Sequence, residues 1–177
     1  MRIFVIGAEE SGKSTAGRFL ANALKLPVAE TLDVSTRELA RFCMTGEHTV
    51  QDEFMVHAAM DVMEERFRKA RRYFADLMIG LNPLVLIDRC MPMHQPGIIV
   101  GVSRLMELLA LTQRDEAAFK SSFWIKIVRP GTKDEKFDLA TMPGCRVIRN
   151  DGSLKTLKLR IEDCAREIER AVQKRAA

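Results

Sequence analysis

The stretch GAEESGKST, Gly7 to Thr15, narrows the folds open to this chain more than any other. It follows the apolar run IFVI and precedes a segment whose apolar residues recur at helical spacing. Gly7 and Gly12 permit backbone angles that a side chain forbids. A loop freed in this way turns its N–H groups inward, and the positive end of the following helix adds to their pull on an anion. Lys13 reaches phosphate oxygens as a mobile charge, and the Ser14 hydroxyl ligates Mg2+. Glu10, Ser11 and Thr15 complete the nucleotide-binding loop. The bare pattern also arises by chance. Its place between a strand and a helix makes it a triphosphate site, for ATP or GTP, and commits the chain to an α/β architecture.

The remainder of the chain agrees with that class. Strands are expected at 2–7, 26–31, 82–89, 122–130 and 145–152. Helices are expected at 12–25, 35–44, 50–79, 103–114 and 153–175. Ser35 followed by Glu38 reads as a capping box for the second helix. Leu154, Leu157, Ile161, Ala165, Ile168 and Val172 form the apolar face of the last. The expected fold is a three-layer sandwich around a five-stranded parallel sheet of order 2-3-1-4-5. It forms one domain over 1–177, with an acceptor-binding helical segment about 33–80 and a short lid about 131–144.

A phosphate-binding loop needs a second acid to hold magnesium through water. Asp88, at the end of the apolar stretch LVLIDR, is the candidate, because a carboxylate at a strand's carboxyl end emerges beside the loop. Its duller alternative is a cap or turn residue. The chain has 177 residues, 47% of them hydrophobic and 29% charged, with a net charge of +4. That suits one globular domain and is compatible with phosphate-rich ligands or nucleic acid without demanding either. No apolar run reaches the ~18 residues of a membrane span, and the N-terminus lacks the pattern of a secretory leader. Cys43, Cys90, Cys145 and Cys164 are scattered, which suggests free thiols in a reducing cytoplasm rather than a zinc site or disulfides. A GTPase would carry an N/T-K-x-D motif; NDGS at 150–153 lacks the lysine.

Taken together, GAEESGKST, LVLIDR, WIKIVRPG and RVIRNDGSLKTLKLRI resemble the P-loop nucleoside monophosphate kinase superfamily. Within it the chain is similar to the phage-type deoxynucleoside monophosphate kinases and, more distantly, to dephospho-CoA kinases. The resemblance implies a phosphotransferase using ATP and Mg2+ on a small nucleotide, in the cytoplasm, or the host cytoplasm if phage-encoded. It implies that Asn150, Asp151 and Gly152 lie by the adenine, although the same residues also read as a turn before a helix capped by Ser153. It further implies lid arginines after strand four. The stretch GTKDEKFDLATMPG has Lys133 and Lys136 instead, which leaves Arg129, Arg104 or Arg114 to supply the charge. The family's D-V-R is here the tighter Asp88 and Arg89.

The acceptor is expected between strands two and three. Asp33 is placed to orient the attacking group or to cap a helix. Arg37 and Arg41 share one helix face, either forking a monophosphate together with Arg89 or standing exposed against Glu38. The basic cluster ERFRKARR, 65–72, reads as a solvated face, with a nucleic-acid track as the alternative. A modified base in DNA, or another small metabolite, therefore remains a rival acceptor, and a nucleotide-binding module without transfer activity a rival class. His57 and Asp61 read as structural. Apolar residues on the long helix leave open the pairing of two copies.

Overall fold

β1 (Arg2–Gly7) takes the centre of the sheet because its interior is apolar on both faces. Ile3, Phe4, Val5 and Ile6 are each 2% exposed or less. The computed structural model describes residues 1–45, 60, 68–92, 95–102, 104–132 and 144–176. In it β1 pairs in parallel with β3 (Gly97–Val100) on one side and β4 (Phe123–Val128) on the other, Ile3 lying opposite both Ile98 and Phe123. β2 (Val28–Glu30) flanks β3, and β5 (Cys145–Arg149) flanks β4. The order β2-β3-β1-β4-β5, all parallel, is the one expected from the sequence.

Alternation along the strands divides the core into two layers. Ile3, Val5, Ile98, Val100, Ile125 and Ile127 face α1 (Lys13–Leu24) and the last helix, α7 (Leu154–Ala176). Leu157, Ile161, Ala165 and Ile168 of α7 are buried there as expected, joined by Cys164, whereas Leu154 is 64% exposed. Phe4, Ile6, Ile99 and Trp124 face the opposite way, toward α4 (Val85–Cys90) and α5 (Leu105–Arg114). Phe4 and Trp124 stack with ring centres 4.3 Å apart. A short α6 (Glu116–Ser121), capped by the Asp115 carboxylate accepting from the Ala118 N–H, follows α5. α2 (Thr31–Thr45) packs on α3 (Arg68–Leu81), whose Ala75 and Ile79 meet Leu86 of α4 in a smaller cluster.

Strand three is the main correction. The run at 82–89 is not a strand; it winds into α4, and strand three is GIIV, 97–100. Asn82 starts the helix: its side-chain carbonyl accepts from the Leu84 N–H at 3.0 Å and its backbone carbonyl from Val85. The run is apolar all round because α4 is covered on two sides. Leu84 and Ile87 face the sheet, and Leu86 faces α3. At Gly97 an added Cβ would lie 2.2 Å from the Met91 side chain, so the glycine lets Met91 close over the start of β3.

α2 also begins earlier than expected, at Thr31, so Ser35 does not cap it. Ser35 is buried within the helix and its hydroxyl donates to the Leu32 carbonyl. Most of the expected lid, the first part of the long helix, and His48, His57, Asp61 and His94 lie outside the described residues.

Candidate active site

The loop from Gly7 to Lys13 sits at the carboxyl end of β1, and its geometry requires its glycines. Gly7 has φ +152°, and a Cβ there would lie 2.5 Å from the Ile127 carbonyl oxygen. Gly12 has φ +92°, and a Cβ there would lie 2.5 Å from the Asn150 amide nitrogen. Glu10, without a glycine's freedom, also adopts a left-handed φ of 61°. Such conformations cost about 1–3 kcal/mol each and gather at functional sites. α1 starts with no side-chain cap and no acid in its first turn. The positive end of a twelve-residue helix is thus left for an anion.

Around the loop the side chains are tied down. Lys13 Nζ donates to the Ala8 carbonyl at 2.9 Å. Ser14 Oγ donates to Glu30 Oε2 at 2.7 Å. Asn150 Nδ2 donates to the Ser11 carbonyl at 2.8 Å, bracing the loop from β5. Arg129, one of three candidates for the lid charge, donates to the Glu10 carbonyl at 3.3 Å and so stands beside the loop. Asp151 turns to Arg160, whose guanidinium holds its carboxyl below the usual range. Thr15 is half-buried, and the Ser11 side chain is fully buried.

The loop opens into a cavity of about 490 Å3. Glu9, Glu10, Lys13 and Ser14 form its floor, and Glu30, Thr31 and Leu32 one wall. Gly101 and Arg104 follow β3 into it, and α3 contributes Arg71, Arg72, Ala75 and Asp76. The four α3 positions share one helix face. Arg71 is 5% exposed, and its Nε donates to Thr36 Oγ1 at 2.7 Å; Thr36 in turn donates to the Leu32 carbonyl. Arg72 pairs with Glu9, and Arg104 with Asp76. Three guanidiniums from two elements therefore reach the cavity that Lys13 enters.

Asp88 does not. It is an exposed residue of α4 that accepts both 2.7 Å and 2.8 Å hydrogen bonds from Arg114. Its charge is felt by Arg2, the first residue of β1, whose guanidinium is shifted down by burial and then by Arg114. The loop lies at the other end of that strand, roughly 17 Å away at a strand's rise. Asp88 thus drops out as the magnesium carboxylate, and Arg114 as the supplier of positive charge to the site. The acid that touches Ser14 is Glu30, at the end of β2.

The expected acceptor residues are displaced as well. Asp33 and Arg37 are exposed on α2 and, with Arg89, line a separate hollow. Arg41 and Arg89 both pair with Glu38, which is 5% exposed, and so neutralise a buried carboxylate. The basic cluster that reads as a solvated face instead turns Arg71 and Arg72 inward. Its signal was the repeat of Arg71 and Arg72 with Ala75 and Asp76 four residues on, a mixed face rather than a charged one. Glu30 was missed; its signal was an acid near the end of a short strand ahead of a helix. Among the described residues no cluster of three or more metal-binding side chains occurs, and no helix is long and apolar enough to cross a membrane.

No family model matches the chain, and no curated protein matches it either. Among solved structures it is similar to a candidate kinase from Chloroflexus aurantiacus J-10-fl, at 13% identity and a TM-score of 0.51, over 98% of this chain and 96% of that one. It also aligns with a sugar kinase from Janibacter sp. HTCC2649, at 14% identity and a TM-score of 0.46, over 90% of each chain. The first likeness, at such low identity, establishes a shared fold.

Proposed function

We propose that this chain is a phosphotransferase that uses ATP and Mg2+ to phosphorylate a small anionic acceptor, best matched by a deoxynucleoside monophosphate. The observation that carries the reading is the meeting of Lys13, Ser14 and Glu30 with Arg71, Arg72 and Arg104 around one cavity at the carboxyl edge of the sheet. A hydroxyl and a carboxylate 2.7 Å apart are a donor set that suits a hard divalent cation. The uncapped start of α1 and the two left-handed glycines suit a polyphosphate. Magnesium, when bound, neutralises charge on the phosphate oxygens; Ser14 and Glu30 would hold it.

The chain's own residues supply the rest. Lys13 gives up the Ala8 carbonyl to place its charge on the transferring group. Arg71, fixed by Thr36, presents a pre-oriented fork to the acceptor's anionic group. Arg72 and Arg104 exchange Glu9 and Asp76 for it. Arg129, beside Glu10, adds positive charge from the β4 side. Asn150 keeps the loop in shape, and the resemblance puts the base beside Asn150, Asp151 and Gly152. α2 and α3, the described parts of the 33–80 segment, flank the acceptor. The single domain acts on free nucleotide in the cytoplasm, without a membrane.

The test is ADP release from Mg·ATP with deoxy- and ribonucleoside monophosphates, dephospho-CoA, simple sugars, and duplex DNA with and without modified bases, with Lys13→Ala alongside. Stimulation by a monophosphate, lost in the mutant, supports the reading. Stimulation by sugar or DNA alone replaces the acceptor, and ATP binding without turnover on any acceptor overturns the kinase.

A further inference from the structure

A second hollow, of about 320 Å3, runs along the open edge of β2, on the far side of Glu30 from the catalytic cavity. Three arginines from three different helices converge on it: Arg18 of α1, Arg37 of α2 and Arg89 of α4. Surface cations spread apart unless something holds them together, since like charges repel across short distances. Two of the three are held by carboxylates. Arg18 is 72% exposed and touches Glu30 only at 3.8 Å. Glu30 already accepts from Ser14 through its other oxygen. Arg89 is engaged by Glu38, and Arg37 has no ion pair among the described residues. Asp33 and Glu30 are the two acids on the hollow's wall. Cys90, at its base, adds no charge: burial, then the nearby Asp33, Glu107 and Glu30, push its thiol up to about 12.

We propose that this hollow is a second anion site, separate from the phosphate-binding loop, that takes a compact phosphate-bearing molecule on the Arg37, Arg18 and Arg89 guanidiniums. Planar guanidiniums bind phosphate oxygens in pairs, and three of them around one small basin match a group with more than one negative charge. Glu30 lines both cavities, so filling the hollow draws Arg18 from Glu30 and changes the charge beside Ser14.

Calorimetric titration of the 177-residue chain with inorganic pyrophosphate tests this. Lys13→Ala weakens the loop's own binding phase and leaves a second phase of about one equivalent. Arg37→Ala, made in the Lys13→Ala background, weakens that phase at least about tenfold, the worth of one charge-assisted contact. Arg37→Lys, which keeps the charge and loses the fork, falls between. Arg37 is exposed, so neither change threatens folding, and circular dichroism confirms that they do not. A parallel titration with a nucleoside triphosphate shows whether the site takes a nucleotide or phosphate alone. The proposal is overturned if Lys13→Ala protein shows no second phase, if Arg37→Ala leaves that phase unchanged, or if sulfate at equal ionic strength displaces pyrophosphate equally well.

Discussion

Replacing Gly12 by alanine probes the loop most directly, because backbone strain and steric overlap act at one atom. Gly12 has φ +92°, a region that costs an L-residue about 1–2 kcal/mol. The new methyl would lie 2.5 Å from Asn150 Nδ2, closer than carbon and nitrogen can approach. Asn150 must swing away and give up its 2.8 Å bond to the Ser11 carbonyl, for about 1 kcal/mol more. The reduced freedom of the unfolded chain returns about 0.4–1 kcal/mol. The net loss is about 2 kcal/mol, or a fall in Tm of roughly 4–8 °C for a chain this size. Asn150→Ala alone loses the hydrogen bond, about 1 kcal/mol. In the double mutant the methyl occupies the space Asn150 has left. The two changes are then less than additive, by about 1 kcal/mol. Urea unfolding of the four proteins without nucleotide measures the cycle. A Gly12→Ala protein within about 0.5 kcal/mol of the parent, or a double mutant additive within about 0.3 kcal/mol, would refute the described packing of β5 on the loop.

Other outcomes follow from the same geometry. Lys13→Ala lowers kcat by at least about a hundredfold while leaving urea stability nearly unchanged, since in the proposed reaction the residue acts on developing charge; equal rates would remove it from the chemistry. Glu30→Gln raises the magnesium concentration needed for half-maximal ADP release, whereas Asp88→Asn does not and costs only about 0–1 kcal/mol of stability through its exposed pair with Arg114; the reverse ranking would restore Asp88 to the site. Cys90 and Cys164, whose thiols burial pushes up to about 12 and about 11, resist iodoacetamide at pH 8 in the folded protein and react when it is unfolded, as peptide mapping would show. Because the unfolded thiols ionise near 9 and the folded ones do not, these two residues reduce stability as pH rises above about 9; a Cys90→Ala, Cys164→Ala protein shows a flatter stability profile there.

Strands one and four and the last helix were legible because their patterns are one-sided or bounded. β4 is stopped by Pro130, and α7 repeats an apolar face over about five turns. Strand three was not, because NPLVLIDR and GIIV are both short apolar runs, and periodicity does not separate a strand buried on two faces from a helix buried on two sides. What separates them lies outside the run. Asn82 and Pro83 start a helix, and Gly97 makes room for Met91, a contact visible only in three dimensions. The error propagated to function, since the acid expected at the sheet's edge follows the strand that carries it. Asp88 moved to the far end of β1 with its helix.

The arginines teach a different lesson. Arg37 and Arg41, four apart near strand two, look like a phosphate fork, yet Arg41 serves the buried Glu38 and Arg37 faces the β2 hollow. Arg71 and Arg72, in a run dense enough to resemble a solvated face, enter the cavity beside Lys13 and Ser14. Sequence spacing reports which residues share a helix face, but not where that face points; that depends on how the helix docks. α3 docks through Ala75 and Ile79 onto Leu86 of α4. The unexpected helix at 85–90 is therefore what turns Arg71 into the cavity. One element that periodicity could not classify removes the expected magnesium acid and supplies the surface that brings Arg71 and Arg72 to the cavity.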